Sequence, residues 1–123
     1  MAKVTGLGGV FYKAQDPEAT TRWYKEMLGV GGDWGAAFPF AGDPGGYSLL
    51  SPFKAATDYF EPSAAGFMIN LRVDDLDAMI AELEGKGIEI LGRQDEEYGK
   101  FAWILDCDGI KVELWQQVGP APE

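Results

Sequence analysis

The chain has 123 residues, of which 46% are hydrophobic and 13% aromatic, enough apolar surface for one ordinary core with no room for a second fold. Its formal net charge is −10, from 20 acidic against 10 basic residues, and such a field repels polyanions, which excludes nucleic acid as a partner. There is no histidine, so Ser-His and Cys-His nucleophilic catalysis is excluded, as is any transition-metal site of the usual histidine-containing kind, in one chain or across a homodimer.

In chain order, "MAKVTGLGGVFYK" lacks the apolar run of a signal peptide, and no stretch approaches the roughly 20 apolar residues of a membrane span. The expectation is a soluble, cytoplasmic protein without membrane contact. Cys107 stands alone and cannot close an internal disulfide, which suits a reducing compartment. "GLGG", Gly6 to Gly9, has no Walker lysine or helix start behind it; it reads as a bulge or close backbone approach in a first strand, not a phosphate loop.

"GGVFYKAQDPEATTRWYKEMLGV", Gly8 to Val30, has the shape strand, helix, stop. Asp16 is the N-cap, Pro17 the first helical residue, Tyr24, Met27 and Leu28 the apolar positions and Gly29 the left-handed end. Strand-like runs "DWGAAFPF" and "GYSLLSPF" follow around the turn "AGDPGG", and then "KAATDYFEPSAA", Lys54 to Ala65, a turn-rich connector.

"FMINLRVDDLDAMIAELEGKGIEI", Phe67 to Ile90, repeats the first shape. Asp75 follows Asp16 at an offset of 59 and Gly87 follows Gly29 at 58, so the second helix is expected to be one residue shorter. Leu76, Met79, Ile80 and Leu83 share one helical face. The runs "IEILGR", "FAWILD" and "KVELWQ" then alternate with the turns "DEEYGK" and "DCDG". The fold class is therefore α+β: two tandem βαβββ modules in a single domain over 1–123, with module one about 5–53, a linker at 54–65 and module two about 66–117. One helix covers one face of each small sheet, so the modules are expected to pair their sheets around a shared concave pocket.

The repeat, the "DPEATTRWYKEMLGV" passage and the closing "DCDGIKVELWQ" together resemble the vicinal oxygen chelate superfamily of glyoxalases, bleomycin resistance proteins and dioxygenases. The resemblance implies a homodimer. It also implies that metal-using members draw ligands from the first and last strands of each module, which here are Gly9, Ser48, Met68 and Glu113. One carboxylate cannot hold zinc, nickel or iron, which need three or four converging donors, so no metal and no cofactor are expected.

With those positions on one face, strand alternation turns Gly9, Phe11, Lys13, Met68, Asn70 and Arg72 inward and leaves Val10, Tyr12, Ile69, Leu71 and Val73 to the helices. The inferred pocket has apolar walls from Phe11, Leu50, Met68 and Trp115 and polar groups from Ser48, Asn70, Arg72 and Glu113. Trp103, with Trp34, Phe38 and Phe40, supplies either stacking surface or core, and Tyr98 in its acidic turn is a candidate rim contact. Glu113 either pairs with Arg72 as a structural ion or, underpaired in an apolar cup, acts as a general base. The function this implies is metal-independent binding of a small organic ligand, favoured if cationic. The alternative is a metal-dependent or Glu113-based lyase, isomerase or dioxygenase of the same superfamily.

Overall fold

The computed structural model describes residues 1–42 and 44–120. Strand β1 (Val4–Ala14) leads into helix α1 (Pro17–Leu28), then β2 (Ala36–Pro39) and β3 (Tyr47–Lys54); β4 (Phe67–Val73) leads into α2 (Leu76–Gly85), then β5 (Gly92–Glu96), β6 (Gly99–Leu105) and β7 (Lys111–Gln117).

Both helices start on the expected aspartate. The side chain of Asp16 accepts from Ala19 N at 3.2 Å and that of Asp75 from Ala78 N at 3.1 Å, each satisfying an amide that has no partner inside its helix. Gly29, at φ 67°, ends α1 and donates to Lys25 O at 3.1 Å. The second helix ends differently. Lys86 is its cap, donating to Glu82 O and Leu83 O at 3.2 and 3.0 Å, and Gly87 at φ 83° lies one residue beyond. This tightened last turn leaves α2 with 10 residues against 12 in α1, a difference of two where the glycine spacing implied one.

All seven strands form one sheet in the order β2-β3-β1-β4-β7-β6-β5. β1 pairs parallel with β3, β4 pairs parallel with β7, and the antiparallel pair β1·β4 joins the two halves. The second half has three strands after its helix as expected, whereas the first has two among the described residues. Between α1 and β2 the chain reads "GVGGDWG", with Gly31 and Gly35 at φ 90° and 146°, a conformation that breaks a ladder. β5 begins at Gly92, four residues after the start of the apolar run "IEILGR", and its residues Arg93 to Glu96 are exposed. Charged side chains on an edge strand discourage pairing with another chain.

Both helices lie on one face of the sheet. Under α2, Val73, Leu76, Met79, Ala102, Val112 and Leu114 form a buried cluster. Under α1 the packing is lighter: Thr21 is the buried residue of the helix, and Tyr12, Tyr24 and Leu50 surround a small void. On the opposite face Phe11, Phe60 and Met68 form a second cluster, with Leu49, Phe53 and Trp103 against it.

Candidate functional site

The helix-free face carries a cavity of about 180 Å³ lined by rings from Phe11, Tyr47, Phe53, Tyr98, Phe101 and Trp115, with Leu49, Tyr59, Asn70 and Glu113 completing it. Glu113 is 2% exposed. Its position follows from strand register: Asn70 on β4 and Trp103 on β6 are its cross-strand neighbours, so both their side chains rise beside it on the same face. Asn70 Nδ2 donates to Glu113 Oε1 at 2.6 Å, and Trp103 Nε1 donates to Oε2 at 2.8 Å. A third donor comes from the connector. The hydroxyl of Tyr59 donates to Oε2 at 2.5 Å.

Three neutral donors therefore meet one buried carboxylate, the arrangement that offsets much of the cost of removing its charge from water. Burial, and then the charge of Glu113 and the hydrogen bond to it, hold the Tyr59 hydroxyl well above the ordinary tyrosine range. Lys111 Nζ reaches Tyr59 O at 2.5 Å and lies 5.0 Å from the Tyr59 ring centroid and 5.5 Å from that of Trp103. Burial pulls Lys111 below its ordinary value, and the charge of Glu113 opposes that shift.

Arg72 is also buried and on the same face, one pleat along β4 from Asn70. Its Nη1 donates to Tyr47 O at 3.0 Å, and its guanidinium lies 5.0 Å from the Trp115 ring centroid and 5.2 Å from that of Phe40. No ion pair joins it to Glu113 among the described residues. Phe40 and Trp115 thus serve as stacking surface for an internal cation.

Of the residues singled out from sequence, Phe11, Asn70, Glu113 and Trp115 line the cavity together. Met68, fully buried, supports it from behind with Phe11 and Phe60, and Trp103 reaches it through its indole N–H. Ser48 and Leu50 lie on the other face: Tyr47 and Leu49 line the cavity in their place, and Leu50 faces the void under α1. The register shows why. Gly9 pairs with Leu49 in the parallel β1·β3 ladder, and directly paired residues share a face, so Leu49 and not Ser48 turns inward beside β1. The bulky Tyr47, 3% exposed, fills the cup edge-on to Trp115 at 5.1 Å, which a serine cannot do. Trp34 and Phe38 are 45% and 42% exposed and belong neither to the core nor to the cup. Tyr98 lies at the mouth, 57% exposed.

Tyr59 is the residue that strand-based reading passes over. The signal was an adjacent aromatic pair, Tyr59 and Phe60, in an otherwise small and polar connector; Phe60 is 1% exposed and anchors the segment.

Two glycines make the room. A Cβ at Gly8 would stand 1.9 Å from Asn70 Oδ1, and one at Gly99 would stand 2.6 Å from Trp115 Nε1. A wider groove of about 820 Å³ passes the start of α1 between Asp16, Asp33, Trp34 and Lys54. Its buried polar side chain, Thr21, spends its hydroxyl on Pro17 O at 2.8 Å, so that groove has surface charges but, among the described residues, no free buried polar group beneath it. Among the described residues, no three His, Cys, Asp or Glu side chains are grouped to hold a metal ion.

Two β-α-β halves joined strand to strand, with helices on one face and a last-strand carboxylate under an aromatic cup on the other, define a paired-module α+β protein with a concave helix-free face. The family model described as "Glyoxalase/Bleomycin resistance protein/Dioxygenase superfamily" matches residues 6–114, and the chain belongs to that superfamily. No curated protein matches the chain. Among solved structures it is similar to a methylmalonyl-CoA epimerase in complex with methylmalonyl-CoA and NH4+, at TM-score 0.70 and 18% identity, over 98% of this chain and 100% of that one. A single-residue variant of the Streptomyces coelicolor methylmalonyl-CoA epimerase in complex with 2-nitronate-propionyl-CoA matches at 0.69 and 18%, over 95% and 100%. The methylmalonyl-CoA epimerase from Mycobacterium tuberculosis matches at 0.65 and 22%, over 97% and 90%. At these identities the likeness is one of fold. No helix among the described residues is long and apolar enough to cross a membrane.

Proposed function

We propose that this is a metal-independent small-molecule-binding member of the superfamily, a cytoplasmic homodimer that holds a small organic ligand, or the end group of a larger one, in the cup above Glu113. The observation that carries this reading is the carboxylate itself: buried at the floor of a cavity whose other walls are largely aromatic, and engaged by neutral donors in place of a cation. Burying a carboxylate costs several kcal/mol, so about 180 Å³ of apolar space around one polar anchor is better explained as a recognition surface than as core. Typical ligand pockets run from about 300 to 1,000 Å³. This one therefore suits a small molecule or an end group, such as the acyl end of a thioester of the kind the epimerases hold.

The residues present do not fit a divalent cation. At the family's ligand positions stand Gly9, Ser48, which lies on the other face of the sheet, and the buried thioether of Met68, and both oxygens of Glu113 already accept hydrogen bonds. The free, exposed Cys107 is compatible with a reducing cytoplasm, and Trp23, Met27 and Leu28 on α1, each more than half exposed, leave apolar surface for a second copy.

A thermal-shift screen tests the reading. Small organic compounds should include some that raise the melting temperature of the native protein but not of Glu113→Gln, while zinc, nickel, iron and manganese leave it unchanged. Stoichiometric metal that binds the native protein and is lost from Glu113→Gln would overturn it. A second reading, proton transfer by Glu113 in a lyase or isomerase, draws on the same carboxylate facing the cavity. It requires that Glu113→Gln abolish turnover while leaving affinity largely intact.

A further inference from the structure

Two of the three donors on Glu113 are held by the sheet; the third is not. Asn70 and Trp103 are cross-strand neighbours of the carboxylate, whereas Tyr59 comes from a connector and is 37% exposed. The backbone of that connector is held by contacts that do not involve the Tyr59 side chain. Thr57 N donates to Lys54 O, Glu61 N to Asp58 O and Ser63 N to Phe60 O, each at 3.0 Å, while the buried Phe60 pins the segment to the cup and Lys111 holds the carbonyl of Tyr59. Displacing the phenol from Glu113 therefore breaks none of these backbone contacts.

Its ring is received by other rings: Phe53 at 5.6 Å, Trp103 edge-on at 6.1 Å and Phe60 edge-on at 6.4 Å. An apolar cavity of about 150 Å³ is known to hold benzene. The cavity of about 180 Å³ beside Tyr59 is therefore room for one substituted ring, and more when Tyr59 leaves.

Resting on the reading of the cup as a ligand site, we propose that Tyr59 is its resident occupant and that the ligand is a phenol, or a larger molecule ending in one, which displaces Tyr59 from Glu113. What Glu113 Oε2 accepts in the closed state is a phenolic O–H against a wall of aromatic edges, so the group that best replaces it has the same chemistry. An aromatic carboxylate would set like charges together, and a plain hydrocarbon ring would leave an oxygen of the buried carboxylate short of a donor. The Tyr59 side chain acts as an intramolecular competitor, so the affinity seen for an outside ligand is reduced by the fraction of time the cup is closed.

The probe is p-cresol, which is the tyrosine side chain as a free molecule, with toluene as its hydroxyl-free control. Both are titrated by calorimetry and by indole N–H chemical shifts into native protein, Tyr59→Phe and Glu113→Gln. Tyr59→Phe keeps the ring and its packing, and circular dichroism checks that each variant is folded. Removing the competitor's bond to a charged acceptor should tighten p-cresol binding about tenfold or more in Tyr59→Phe, with little change for toluene. The preference for p-cresol over toluene should fall about fivefold in Glu113→Gln, whose carbonyl still accepts a hydrogen bond but carries no charge. Equal or weaker p-cresol binding by Tyr59→Phe overturns the proposal, because Tyr59 is then a wall of the site and not its occupant. If p-cresol fails while another organic compound binds in a Glu113-dependent way, the phenol proposal falls and the ligand-site reading stands. If no small organic compound binds the folded proteins, both fall.

Discussion

The bond between Tyr59 and Glu113 should be measurable as a coupling energy. Tyr59→Phe removes one O–H and keeps the ring, and Glu113→Gln keeps the shape of the acceptor while removing its charge. A hydrogen bond to an ionised group contributes about 1.5–3 kcal/mol and one between neutral groups about 0.5–1.5. Because Tyr59 is 37% exposed, the lower end applies: a loss of about 1.5 kcal/mol for Tyr59→Phe in the native background. In the Glu113→Gln background the loss should be about 0.5 kcal/mol. The substituted amide is itself accommodated, because the Asn70 side chain can turn to present Oδ1, which is buried without a partner among the described residues, to the new N–H while Trp103 and Tyr59 still meet a carbonyl. The coupling is thus about 1 kcal/mol, above the roughly 0.3–0.5 kcal/mol by which independent sites fail to add. Urea unfolding of the four proteins, followed by circular dichroism, reads it directly. A coupling indistinguishable from zero would refute the argument, because the Tyr59 hydroxyl would then be no better placed on Glu113 than in water.

Gly8→Ala should destabilise the fold by about 1–3 kcal/mol, several degrees in melting temperature, because its Cβ would meet Asn70 Oδ1 at 1.9 Å and the Trp115 ring at 3.0 Å; Gly6→Ala, with nothing within 4 Å, is the matched control. The pH dependence follows from Tyr59, whose folded-state hydroxyl holds its proton above the ordinary value of 10.0. Above that pH the unfolded chain has released a proton that the folded chain keeps, so the stability contributed by the bond is full below pH 10.0 and is lost as pH rises further. Lys111, shifted down, acts in the opposite sense just below 10.5, and subtracting the Tyr59→Phe curve from the native one isolates the tyrosine. Sedimentation equilibrium should give twice the chain mass of 13.4 kDa, and a single-chain mass at micromolar concentration would remove the homodimer from the proposed function.

What was legible in sequence is what local chemistry dictates. Asp16, Pro17 and Gly29 mark α1 because an N-cap oxygen, a fixed φ and a left-handed stop are properties of those residues alone. The inward faces of β1 and β4 were legible for a related reason: Leu71 and Val73 pack toward α2, and that leaves Asn70 and Arg72 on the helix-free face, Asn70 in the cup and Arg72 outside its lining, against Trp115. β3 was not legible in this way. "YSLLSPF" has apolar residues at both parities, so neither face is favoured by hydrophobicity, and only pairing with β1 decides between Ser48 and Leu49. The partner of Glu113 escaped for another reason. Arg72 was one candidate counterion because opposite charges on paired strands attract, but the guanidinium lies against Phe40 and Trp115, and Glu113 takes a donor from the connector instead. No periodicity exists in a turn-rich segment from which to read that Tyr59 points at a strand 54 residues away.

The division between what register holds and what it does not bears on how the site works. Glu113 sits between Val112 and Leu114, both in the core under α2, so a slip of one residue in β7 would drive the carboxylate into that core and two large apolar side chains out of it. The same pairing that prevents the slip places Asn70 and Trp103 opposite Glu113 on its two neighbouring strands, so the positions of these two donors are maintained by the stability of the whole sheet. Tyr59 has no such guarantee: local turns, Phe60 and one lysine contact hold its backbone, its ring rests on Phe53, Phe60 and Trp103, and no strand register fixes its hydroxyl on Glu113. A cup in which two donors are fixed by the sheet and the third comes from a side chain on a connector is pre-organised for whatever takes the third place. Exchange at that position therefore leaves the sheet, its register and the buried charge undisturbed.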